Sequence, residues 1–149
     1  MVGRVTILLV CSVTLATYAA ASGVTKNNRE TIYLTDKDIV PKDELGPLLK
    51  EAKKEYRFIG DLVIGERHAD ETIFRRSIEA ANPTDQVYSS AVTINVERGT
   101  IHYLSVTNEK NSYVVVCDEP YSLGTSRTSF NLRVPPNTKS QLWLLVAAH

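Results

Sequence analysis

The sequence predicts a mainly β protein: a small antiparallel β-sandwich or partly open barrel with one short N-terminal amphipathic helix. Three observations carry this reading. From Phe58 onward, short apolar stretches recur between turn residues; Val92 to Val96 and Phe130 to Val134 alternate apolar with polar; and one stretch, residues 43–57, has apolar residues at helical spacing. A chain of 149 residues, 43% hydrophobic and 23% charged, suits one ordinary domain and excludes a mainly disordered, collagenous or disulfide-dense protein.

The elements follow in order. Arg4, the apolar run Val5 to Ala16 and the small residues Ala19-Ala20-Ala21 make the n-region, h-region and A-x-A site of a signal peptide over residues 1–21, with Ser22 or Gly23 as the mature start. The run is short for a bilayer span of roughly 20 residues, and Thr6, Ser12 and Thr14 interrupt it. A secreted, extracellular product with no membrane attachment after cleavage is expected. Residues 22–42 are polar and read as an extended arm. Residues 43–57 place Leu45, Leu48, Leu49, Ala52 and Tyr56 on one stripe, with acidic residues first and lysines last, as a helix dipole favours; Pro47 suits its first turn.

The β-rich domain fills 58–149. Its strand candidates are Phe58 to Gly65, Glu71 to Ile78, Gln86 to Val96, Ile101 to Thr107, Ser112 to Cys117, Phe130 to Val134 and Gln141 to Ala147. Turn residues Arg98-Gly99-Thr100 and Asn108 to Asn111 make Gln86 to Cys117 a three-stranded meander. The last strand, apolar on both faces, reads as central. Signal cleavage removes Cys11, so Cys117 has no internal partner, and its place after Tyr113-Val114-Val115-Val116 reads as a buried thiol.

Seventeen basic and seventeen acidic residues give zero net charge, so overall charge steers no nucleic acid or anionic membrane to the chain, and no direct nucleic-acid partner is expected. The sequence holds no phosphate-cradling glycine loop and no Gly-x-Ser-x-Gly elbow. The densest polar cluster is Glu66-Arg67-His68-Ala69-Asp70-Glu71. An imidazole among carboxylates can serve acid-base or metal chemistry, yet His102 and His149 stand in separate segments, and a zinc site wants three or four ligands. The cluster therefore reads as a surface turn with Arg67 paired to a carboxylate, and His102 as a sheet histidine with a satisfied ring. No catalytic residue, metal ligand or cofactor is expected.

Gly60-Asp61-Leu62-Val63-Ile64-Gly65-Glu66-Arg67, then Glu71 with Ile73-Phe74, the Val92 to Val96 strand, and Ile101 to Asn108 together resemble the insect multiprotein bridging factor type two family. Its pattern is a G-D-x-L-x-G-E/R opening that leads to I-x-x-I-x-V-T-D, with Asn108 here at the place of the last aspartate. The resemblance spans Tyr56 to Val146 and implies a small exported β-rich protein that is not an enzyme. The implied function is binding of a protein partner, with Arg67, His68, Asp70 and Arg127 as the candidate surface. The family name implies a second role, a nuclear transcription coactivator that bridges a DNA-bound regulator and the basal machinery. A third reading, a carrier of small apolar ligands, needs a cavity lined by Phe74, Tyr103, Phe130, Leu132 and Trp143.

Overall fold

The computed structural model describes residues 28–54, 60–118 and 123–149; residues 1–27, among them the expected signal peptide 1–21 and the start of the expected arm, residues 55–59 and residues 119–122 lie outside the described residues. Eight strands form two four-stranded sheets: β1 (Asn28–Leu34), β2 (Leu62–Gly65), β3 (Thr72–Asn82), β4 (Tyr88–Val96), β5 (Ile101–Asn108), β6 (Val115–Asp118), β7 (Arg127–Val134) and β8 (Thr138–Ala148). The first sheet has the order β1-β4-β7-β6 and the second β2-β5-β8-β3; all pairs are antiparallel except β1 with β4. This is the sandwich-like, mainly β class read from the sequence, with no closed barrel and one short helix.

Strand alternation builds the core. Val92, Ile94, Phe130, Leu132 and Val116 of the first sheet are buried in one cluster with Leu104, Val106, Leu142, Leu144 and Val146 of the second. β8 is central, as its two apolar faces require: Leu142, Leu144 and Val146 enter that cluster, while Ala147 and Leu145 meet Ile73, Val40 and Leu45 on the other side.

The meander is corrected. β4 and β6 belong to the first sheet and β5 to the second, so none of the three pairs with another. Glycine and polar residues between strands specify that the chain reverses, but a hairpin and an arch between layers have the same signature. Here residues 97–100 arch: the Val96 N–H donates to the Ser126 carbonyl and the Ile101 N–H to the Thr125 carbonyl. The arch sets the apolar faces of β4 and β5 against each other rather than side by side in one layer.

The extended arm is, from Asn28, a structural strand. Ile32 and Leu34 are buried in the core because β1 pairs along the whole of its length with β4. The chain then crosses to the other sheet, where the Val40 N–H donates to the Ile73 carbonyl and covers part of the β3 edge. Helix α1 (Lys42–Lys54) starts before Pro47 and contains it. The proline forgoes one helical hydrogen bond, and Asp43 and Glu44 in the first turn favour the positive end of the dipole. Cys117 is half-buried, not buried: Val114 and Val116 take the inward positions, so alternation turns Cys117 outward with Val115.

Two asparagines fix the connections at the end of the sandwich away from the 97–100 arch. Asn82, almost wholly buried, donates through Nδ2 to the carbonyls of Gln86, Val134 and Pro135 and accepts from Thr84, tying two inter-sheet crossings together. Asn108 donates to the Val114 carbonyl and to Asp61, and its Oδ1 accepts the Val114 N–H, holding the approach to β6 against β5.

Candidate functional site

The strand order creates the site. β2 and β3 are the opposite edges of the second sheet, so the connector from Glu66 to Glu71 must run across the ends of β5 and β8. Three strand spacings amount to about 14 Å, within reach of six extended residues. His102 stands at the β5 end and His149 just beyond the β8 end, and the connector brings His68 to His102. The His68 and His102 rings meet edge to face at 4.4 Å, and His149 lies 6.5 Å from His102. The three histidines, which stand in separate segments of the sequence, are thus neighbours in the fold, His68 beside His102 and His102 beside His149.

Two local features aim these groups. Gly65 leaves β2 with φ +84, and a Cβ there would collide with the His102 carbonyl, which accepts the Glu66 N–H. In β5 the register slips between Ile101 and Tyr103, a bulge that inserts His102 as an extra residue. Ile101 and Leu104 both point inward, and the imidazole turns out of the ladder toward the connector.

The centre is Glu71, whose side chain is only 3% exposed. Its Oε1 accepts from Arg67 Nε, and its Oε2 accepts both the His68 backbone N–H at 2.8 Å and His102 Nε2 at 2.6 Å. Burial raises the tendency of this carboxyl to hold a proton. The bonds from His102, the His68 backbone and Arg67, together with the Arg67 charge, outweigh it and hold the carboxyl below its ordinary value. An ionised carboxylate only accepts, so His102 presents Nε2–H to it. The Arg67 guanidinium also lies 5.6 Å from the centre of the Tyr103 ring.

Arg67 therefore pairs with a carboxylate, and His102 is a satisfied sheet histidine, as read from the sequence. Asp70 is exposed beside this network, and His68 has an exposed ring. Arg127 stands apart from it, exposed at the start of β7, yet its loop reaches the same end: the Gly124 N–H donates to the Ile101 carbonyl, and Leu123 lies beside Gly65. Sequence reasoning weighed Glu71, His102 and His149 without choosing them for the surface, took Tyr103 only as a cavity-lining candidate, and did not foresee that the four lie around one network. The available signal was the two-residue gap between Ile101 and Leu104, which breaks the alternation of the strand. Among the described residues, no group of three or more His, Cys, Asp and Glu is placed to hold a metal ion.

The residues expected to line a carrier cavity are dispersed. Phe74, Phe130 and Leu132 are packed in the core, whereas Tyr103 and Trp143 are half-buried on the outer side of the second sheet, where Arg75 stacks 4.0 Å from the centre of the Trp143 ring. A cleft of about 450 Å³ does open between β1 and β3, with Ile78, Ala80, Leu132 and Val134 below and Asn28, Arg29 and Glu30 at its rim. No protein-family model, curated protein or solved structure matches the chain at a significant level.

Proposed function

We propose that this chain is an exported, non-enzymatic binding domain of the bridging factor type two kind, and that it engages a protein partner through the loop end of the sandwich. The observation that supports this most is the joining of two loops from different sheets at the start of β5: Glu66 to Glu71, and the loop before Arg127. Loops held on a rigid scaffold are where binding residues concentrate. Here His68, Asp70 and Arg127 face solvent. Both oxygens of Glu71 are engaged by the fold, which argues for scaffold over catalyst, since a general base needs a free lone pair directed at a substrate.

The test expresses the tagged full-length chain in insect cells, follows its location and sequences its N-terminus. The expected product is in the medium and starts at Ser22 or Gly23. A nuclear protein that retains Met1 would overturn export and favour the coactivator role. Partner capture from extracellular fluid should weaken for Asp70→Lys and Arg127→Glu while their melting temperatures stay within a few degrees of the parent, as both positions are exposed. Capture unaffected by both changes would remove the loop end as the binding surface.

A further inference from the structure

The outer face of the first sheet segregates charge in a protein whose net charge is zero. Outward positions on β4 are Ser89, Ala91, Thr93 and Asn95, all short. With longer side chains on the strands either side, this row makes the floor of a shallow channel about 20 Å long at about 3.4 Å per residue, with Ser89, Ala91 and Asn95 half-buried and Thr93 buried in it. β1 makes one bank with Arg29, Thr31 and Tyr33, which pair in register with Ala91, Thr93 and Asn95. β7 makes the other, with Arg127 opposite Asn95 and Arg133 opposite Ser89, and Ser129 and Asn131 between them. Arg29, Arg127 and Arg133 are exposed, and none is ion-paired among the described residues. No carboxylate among the described residues points outward from these strands: Glu30 has the inward parity of Ile32 and Leu34.

We propose that this channel is a docking surface for a linear anionic polysaccharide, a sulfated or uronate-bearing glycan lying along β4. Guanidinium groups match sulfate and carboxylate oxygens in bidentate geometry, and the two banks, roughly 10 Å apart, carry them at intervals along the chain direction. The half-buried Ser89, Asn95, Ser129 and Asn131 offer hydroxyl and amide groups suited to sugar hydroxyls, whereas Thr93 is buried between them, its Oγ1 3.3 Å from Ser129 Oγ. Tyr33, 66% exposed at the end of one bank, supplies a flat apolar ring for a sugar face. Single-stranded nucleic acid needs a succession of stacking aromatics, and a membrane surface needs projecting apolar side chains. The channel offers one aromatic and a polar floor. This surface is separate from the loop end except at Arg127, so the test leaves Arg127 unchanged and its outcome is independent of the protein-partner reading.

The experiment measures binding of the purified full chain to heparin by calorimetry at about 50 and about 500 mM salt, with neutral dextran and a single-stranded DNA oligonucleotide as comparators. Heparin should bind at low salt and be released at high salt, and dextran should not bind. Arg29→Gln and Arg133→Gln should each weaken heparin binding about tenfold, with unchanged melting temperature. Lys139→Gln, which removes one charge from the opposite sheet, should leave it unchanged. The proposal fails if heparin does not bind at low salt, if Lys139→Gln costs as much as the channel variants, or if the DNA binds more tightly than heparin.

Discussion

Glu71 lies almost wholly out of water, and a buried carboxylate is tolerated only when its charge is met. Three donors from three directions meet it here: Arg67, the His68 backbone and His102. Because its carboxyl is held below the ordinary value of 4.5, Glu71 contributes stability above the unfolded-state value, and that contribution is lost as pH falls through the lower folded-state value. Glu71→Gln keeps the shape and removes the charge. At neutral pH it should cost about 1–3 kcal/mol, since donors arranged for an anion are left with a neutral amide. Urea midpoints of parent and variant should converge as pH drops below about 4.5; a gap constant down to pH 2 would show that the charge of Glu71 is not what holds the loop. The Arg67 pairing was legible in the sequence because both partners lie four residues apart in one polar run. The approach of His102 and His149 was not, since it follows from β2 and β3 being opposite edges of one sheet, which no local pattern encodes.

Individual strands were legible where one face meets a core and the other meets water, as β7 shows residue by residue, and β8 was legible as central because it is apolar on both faces. Pairing was not. The reading of β4, β5 and β6 as neighbours failed because turn chemistry is the same for a hairpin and for a crossing between layers. β1 escaped for a different reason: only Ile32 and Leu34 of its seven residues are buried, and so short a pattern cannot be told from an arm. Its structural weight can be measured. Ile32 is 6% exposed beside β4, so Ile32→Ala should cost about 2–5 kcal/mol in chemical denaturation and expose the β4 edge to aggregation. An arm that merely rested on the surface would lose under about 0.5 kcal/mol, and that outcome would reject β1 as part of the sheet.

At the scale of the whole molecule, the crossings from β3 to β4, β4 to β5, β5 to β6 and β7 to β8 are each held by hydrogen bonds, and both layers share one apolar interior. Asn82 ties the turn after β3 to the turn after β7, Asn108 ties β5 to the approach to β6, and residue 100 pairs its backbone with His149. Among the described residues neither sheet has another layer against which to bury Val92, Ile94 and Phe130, or Leu104, Leu142 and Leu144, so separation of the sheets and loss of the core are one event. Phe130 reports on this coupling because it is fully buried in the first sheet and belongs to the cluster that contains the inward residues of the second. Phe130→Ala should cost about 3–5 kcal/mol through lost burial and the cavity left behind. It should lower the melting temperature while the transition stays single, with tryptophan fluorescence from Trp143 in β8 and far-ultraviolet circular dichroism moving together. Two separated transitions, with Trp143 unfolding after the first sheet, would show that the second sheet stands without the first. The same variant bears on the carrier reading: if native mass spectrometry finds a lipid on the parent that Phe130→Ala releases before it unfolds, the interior is a ligand site and not a packed core.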